Sequence, residues 1–129
     1  MVFWGKLIGK LNKQQGIKMT RKEIGKIQNV SFGYGGYQDA MIGISFTLGS
    51  DKAGWGVGDF WGYWNFKPDK GAKWTKQDQV NSLGETVLRI NQLLSDAKVS
   101  DINKLNGIPV EVEFESNTLK SWRILTEVI

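Results

Sequence analysis

Residues 41 to 64, Met-Ile-Gly-Ile-Ser-Phe-Thr-Leu-Gly-Ser-Asp-Lys-Ala-Gly-Trp-Gly-Val-Gly-Asp-Phe-Trp-Gly-Tyr-Trp, place two alternating runs on either side of a turn. In the first run Ile42, Ile44, Phe46 and Leu48 alternate with Gly43, Ser45, Thr47 and Gly49, which is the period of a strand. Ser50-Asp51-Lys52-Ala53 reads as the turn, and Gly54 to Trp64 as the strand that returns. Upstream, residues 23 to 34 form a third run, joined to residue 41 by Gly35-Gly36-Tyr37-Gln38-Asp39-Ala40. The three runs predict an antiparallel meander.

Downstream the period changes. Thr75 followed by Asp78 is a capping pair, and Val80, Leu83, Val87, Ile90, Leu94 and Ala97 recur every three or four residues, predicting one long helix that ends near Lys98 with that stripe on the sheet. Gly84 beside the stripe suggests close helix-sheet approach. Residues 108–114 alternate apolar positions with Pro109, Glu111 and Glu113, and residues 119–128 put Trp122, Ile124 and Val128 on one face. Sharing a side requires Val112 opposite Trp122 and Val110 opposite Ile124, hence Glu111 opposite Arg123, across a three-residue loop at Ser116-Asn117-Thr118. The fold class is therefore α+β: a β-β-β-α-β-β antiparallel sheet with one long helix on one face. Because Trp55, Trp61 and Tyr63 exceed what one helix covers, a second copy of the chain is expected on the other face.

Residues 19–129 read as a single domain, and residues 1–18 as a separate basic segment. Phe3, Trp4, Leu7, Ile8 and Leu11 lie at helical spacing among lysines, which predicts a short amphipathic helix packed on the domain or on a partner subunit. Gln15-Gly16-Ile17-Lys18 can be encoded by a purine-rich stretch like a ribosome-binding site, which makes Met19 a candidate natural start. No apolar run approaches the ~20 residues of a membrane span, and packing on protein is favoured over a membrane-surface helix, so no membrane partner is expected.

Composition narrows the chemistry. The chain has 129 residues, no cysteine and no histidine, which excludes disulfides, the usual nucleophile-base pairs and the common zinc sites. Asp39, Asp51 and Asp59 could in principle gather around a metal, but isolated surface aspartates are far commoner than metal sites. Neither a catalytic site nor a cofactor is expected. The formal charge of +4 favours anionic partners, although six of the basic residues fall within the first 22 positions.

Aromatic and glycine residues concentrate in Phe32-Gly33-Tyr34-Gly35-Gly36-Tyr37 and in Gly54 to Trp64. In the latter, Trp55, Val57, Asp59, Trp61 and Tyr63 share one face, while Gly54, Gly56, Gly58 and Gly62 strip the other. Glycine weakens a strand, so the run implies close approach by a backbone, a ring or a ligand. Rings offer stacking surfaces for nucleobases. Neither glycine run is a dinucleotide fingerprint, because strand follows strand where a helix is required. Arg89 and Arg123 are the candidates for a phosphate, each with an ordinary alternative: an ion pair with Glu85 one turn earlier, and a cross-strand pair with Glu111.

The combination of Phe32 to Tyr37, Gly54-Trp55-Gly56, Arg89-Ile90-Asn91, Leu105 to Val110 and Trp122-Arg123-Ile124-Leu125 resembles small bacteriophage-encoded proteins, similar in plan to the anti-Thoeris sponges that sequester cyclic ADP-ribose isomers. The resemblance implies a cytoplasmic, homo-oligomeric protein of an infected bacterium that holds a nucleotide-derived signal without consuming it. Its ligand-binding residues would be Phe32, Tyr34, Gly35, Gly36, Tyr37, Trp55, Trp61, Arg89, Asn91 and Arg123. Two other classes stay open: an inhibitor that covers a defence or host enzyme, and a single-stranded nucleic-acid binder using the lysines of residues 67–76. The acidic row Glu111, Glu113 and Glu115 weighs against the latter.

Overall fold

The computed structural model describes residues 19–129. The amphipathic helix predicted from the sequence for residues 1–18 falls outside the described residues. From there the chain runs β1 (Thr20–Gly35), β2 (Met41–Ser50), β3 (Trp55–Trp64), α1 (Lys76–Ala97), β4 (Pro109–Glu115) and β5 (Thr118–Ile124), in one antiparallel sheet of order β3-β2-β1-β4-β5. The α+β order predicted from the sequence is the order observed.

The central strand β1 has two partners in succession. Residues 20–26 pair with β4 and residues 26–35 pair with β2, and a bulge between Gln28 and Ser31 separates most of the second register from the first. Asn29 takes the left-handed backbone conformation at φ 50°, and the Asn106 side chain accepts a hydrogen bond from the Val30 amide at 3.1 Å. Bulges increase the local twist of a strand. The sheet curls until its two edge strands meet through side chains on the concave face, Trp61 of β3 stacking on Trp122 of β5 with ring centroids 5.4 Å apart. Ile27, Ile44, Phe46, Leu48, Val110 and Val112 fill that concave side.

Helix α1 packs across the opening, against β3 and β5. Its start is capped as predicted: Asp78 donates its amide to Thr75 Oγ1 at 3.0 Å, and Thr75 donates its own to Asp78 Oδ2 at 2.8 Å. Lys98, at φ 58°, terminates it in the left-handed conformation. The expected stripe holds in its second half, where Ile90, Leu94 and Ala97 pack on the core, and fails in its first. Val80 and Val87 are exposed, Val87 to 60%, and the face turned inward carries Gln79, Thr86, Leu93 and Ala97. Apolar spacing alone cannot distinguish these neighbouring stripes; the buried hydrogen bonds of Gln79 decide, its amide donating to the carbonyls of Trp64 and Phe66 at 2.6 and 3.1 Å. A Cβ on Gly84 would meet nothing within 4 Å, so this glycine permits no close approach.

The β4-β5 register is as predicted, with Val110, Glu111 and Val112 opposite Ile124, Arg123 and Trp122. Its turn differs. Ser116 and Asn117, at φ 51° and 68°, make a two-residue connection of the primed kind, and a bulge after Glu113 supplies the third residue's offset. Strand β5 ends at Ile124, and Val128 belongs to an exposed 3-10 turn at Thr126–Val128.

The rings of Trp55, Trp61 and Tyr63 point to the concave, helix-covered side, in register with Ser50, Ile44 and Ile42. The second copy expected to cover them is therefore not required by them. On the opposite face the glycines serve the sheet itself. A Cβ at Gly43 would fall on the Trp61 carbonyl and lie 2.7 Å from Gly62 Cα, while one at Gly62 would fall on the Ile42 carbonyl. These facing glycines let β2 and β3 approach more closely than side chains permit.

Candidate functional site

Where the curled sheet brings its edges together, Asp59 links them. Its Oδ2 accepts the indole N–H of Trp61 at 3.1 Å and that of Trp122 at 2.7 Å, and its Oδ1 accepts the Phe60 amide at 2.9 Å. Phe46 packs edge-on against both indoles, with centroids 4.8 and 5.1 Å away. A carboxylate on the otherwise apolar concave face of β3 is thus satisfied by three donors, two of them from opposite edges of the sheet. Charge-assisted bonds of this kind are the stronger class.

Above this pair, α1 contributes Arg89, whose guanidinium carbon sits 3.9 Å from the Trp61 ring centroid. The i, i+4 pair with Glu85 is not formed. Among the described residues no carboxylate lies within ion-pairing distance of Arg89, and the segment before them contains no acidic residue. The cation-π contact holds the side chain against the ring, and among the described residues its guanidinium N–H groups have no acceptor.

Two grooves meet at Trp61, Arg89 and Trp122. One, of about 460 Å³, is walled by Gln92, Leu93 and Asp96 of the helix and by Arg123, Ile124 and Thr126 at the end of β5. The other, of about 360 Å³, lies between the edge strands and adds Asp59, Phe60, Leu119, Lys120 and Ser121. Both are open to solvent.

Arg123 lines the first groove but is already engaged. It donates to Glu111 at 3.0 Å, the cross-strand pair expected from the register, and through both terminal nitrogens to Glu127 at 3.0 and 2.8 Å. The Arg123 hydrogen bonds hold the Glu127 carboxyl down at about 2, well below its ordinary value. A depressed carboxylate stabilises the fold above the unfolded value and loses that contribution as pH falls toward the folded one. Glu127→Gln is accordingly expected to melt slightly below wild type at neutral pH, with the difference closing between pH 5 and pH 2 in a thermal-unfolding series; a difference independent of pH would refute the pairing as its cause.

The structure thus brings together Trp61, Arg89 and Arg123 from among the residues anticipated in the sequence, and leaves the others elsewhere. Trp55, at the opposite end of β3, packs edge-on against Phe114 at 5.4 Å and over Gly25, with a buried indole N–H that has no acceptor among the described residues. Phe32 and Tyr34 lie on the concave side of β1 beyond the end of β4, Tyr34 73% exposed beside a smaller groove shared with Ile42, Trp64 and Val80. A Cβ on Gly35 would contact the Phe60 ring at 2.9 Å, and Gly36, at φ 71°, makes the turn into exposed Tyr37. Asn91 is exposed on α1 and lines neither groove. Trp122, Asp59, Gln92 and Asp96 were not anticipated as site residues. The available signal was Asp59, a carboxylate on a strand face otherwise occupied by Trp55, Val57, Trp61 and Tyr63.

Among the described residues no three of Asp, Glu, His or Cys cluster as metal ligands would, and no helix is long and apolar enough to cross a membrane. Compared with protein-family models, with curated proteins and with solved structures, the chain matches none.

Proposed function

We propose that this protein binds an anionic ligand of the nucleotide class in the groove between α1 and β5 and holds it without chemical conversion. The observation that carries this reading is Arg89: a guanidinium fixed on the Trp61 ring, free of carboxylate partners among the described residues, at the junction of two open grooves. An arginine so placed offers a preorganised fork to a phosphate. Arg89 and Trp122 both lie against Trp61, and Trp122 lines both grooves, so Trp122 is the ring assigned to stack on a base. The resemblance to nucleotide-sequestering phage proteins points the same way, and within it the protein acts as a sponge. The lack of histidine and cysteine supports binding rather than turnover.

Calorimetric titration with ADP, ADP-ribose and cyclic ADP-ribose tests this. Wild type is expected to bind at least one of them. Arg89→Ala is expected to weaken binding about 10- to 100-fold, corresponding to the ~1.5–3 kcal/mol of a charge-assisted hydrogen bond, and to flatten the salt dependence. Arg89→Lys should fall between, keeping the charge and losing the fork. Absence of binding by wild type to every phosphate-bearing nucleoside overturns the reading.

A second reading, a surface that covers a partner protein, is favoured by one observation. Val80, Val87 and Leu88 form an exposed apolar strip on α1, Leu88 to 67%. Were that strip the functional surface, Val87→Asp would abolish partner capture while leaving nucleotide binding intact.

A further inference from the structure

The walls of the groove between α1 and β5 differ in charge along its length. Arg89, Gln92 and Asp96 occupy one face of α1 at steps of three and four residues, and all three line the groove. Seven residues of helix separate the arginine from the aspartate, a rise of about 10 Å. Gln92, between them, donates its amide Nε2 to Asp96 Oδ1 at 2.8 Å. Among the described residues Asp96 Oδ2 has no hydrogen-bond partner, and no cation pairs with Asp96. The opposite wall carries the ring of Trp122, Arg123, whose charge is taken up by Glu111 and Glu127, and, just past β5, Thr126.

An ionised carboxylate accepts hydrogen bonds and cannot donate them. It repels a phosphate at its own end of the groove and favours O–H or N–H donors there, while the arginine end favours the anion. A ligand satisfying both ends carries a phosphate at the arginine end and a pair of hydroxyl donors at the aspartate end, far enough along to span most of that rise. Carboxylates reading ribose hydroxyls are a recurrent solution in nucleotide sites of other folds.

We infer that Asp96, oriented by Gln92, is a specificity-determining residue that accepts hydrogen bonds from the vicinal ribose hydroxyls of the ligand, so that the groove takes ribonucleotides in preference to their deoxy counterparts. This rests on the nucleotide-binding reading above and adds the sugar and the direction in which the ligand lies.

The test compares ADP with 2′,3′-dideoxy-ADP by calorimetry on the full chain. Wild type is expected to favour ADP about tenfold. Asp96→Ala should bring ADP down to the dideoxy affinity and leave dideoxy binding unchanged or tighter, since a repulsive charge has gone. Asp96→Asn, which keeps the size and one acceptor oxygen, should retain part of the preference and serves where the alanine variant does not fold. Equal binding of the two nucleotides by wild type overturns the inference while sparing nucleotide binding. Equal weakening of both by Asp96→Ala and Asp96→Asn overturns it in favour of a structural role. Failure of wild type to bind either nucleotide, or any of the three probes used for the broader reading, removes both.

Discussion

Gly62→Ala is expected to destabilise the fold by about 3 kcal/mol or more, at or beyond the upper end of what inserting a methyl into packed structure ordinarily costs. The added Cβ would fall on the Ile42 carbonyl and lie 2.8 Å from the Phe60 ring and 2.9 Å from Gly43 Cα. Two of these three obstacles are backbone atoms of the paired strand, which cannot rotate aside. Gly58→Ala is the control, because its Cβ would meet only the Phe46 carbonyl at 3.7 Å, ordinary contact. Replacing a glycine in a strand interior by alanine is then neutral or stabilising by about 0.5–1 kcal/mol. Urea unfolding of both variants checks this. Equal midpoints would mean that Gly43 and Gly62 are not there for close approach of β2 and β3, and would return the glycine run to a ligand-admitting role.

The second large effect is expected at Asp59. Asp59→Ala removes the acceptor shared by Trp61 and Trp122 and leaves two half-buried indole N–H groups without their partner. Hydrogen bonds to charged groups contribute about 1.5–3 kcal/mol each, and partial exposure reduces the sum, so a loss of about 2–4 kcal/mol is expected. The change should also be visible in the rings. With the clamp gone, the 5.4 Å stack between the edge strands loosens, and the near-ultraviolet circular dichroism of the coupled indoles should diminish even at temperatures where the protein stays folded. Asp59→Asn keeps one acceptor oxygen and should lose less of both. An unchanged indole spectrum in Asp59→Ala would show that Phe46 and the helix hold the stack without the carboxylate.

Asp59 also shows why the site was only partly legible in the sequence. Alternation placed it correctly on one face with Trp55, Val57, Trp61 and Tyr63, but alternation says nothing about which strand lies opposite. Trp122 is 63 positions away and belongs to the other edge of the sheet. Only the curl of β1 brings the two together, and that curl depends on a bulge at Asn29 braced by the hydrogen bond from the Val30 amide to Asn106, residues 76 positions apart. Arg89 is a similar case. Helical spacing offered an ion pair with Glu85, and Arg89 lies over the ring of Trp61 instead, a neighbour 28 positions away on another element.

What the sequence determined by itself is whatever follows from neighbours within a few residues. The strand periods, the Thr75-Asp78 cap, the left-handed Asn117 and the Val112-Trp122 register all arise from local sterics and hydrogen bonding, and all are present in the structure. What the tertiary structure decided is which face of each element is used: the inward turn of Gln79 and Thr86, the concave placement of the tryptophans, and the meeting of Asp59, Trp61, Arg89 and Trp122. Those outcomes depend on the curvature of the whole sheet and on buried groups finding partners across it. Apart from Asp59 and Trp61, two positions apart on β3, the halves of these contacts lie in separate elements.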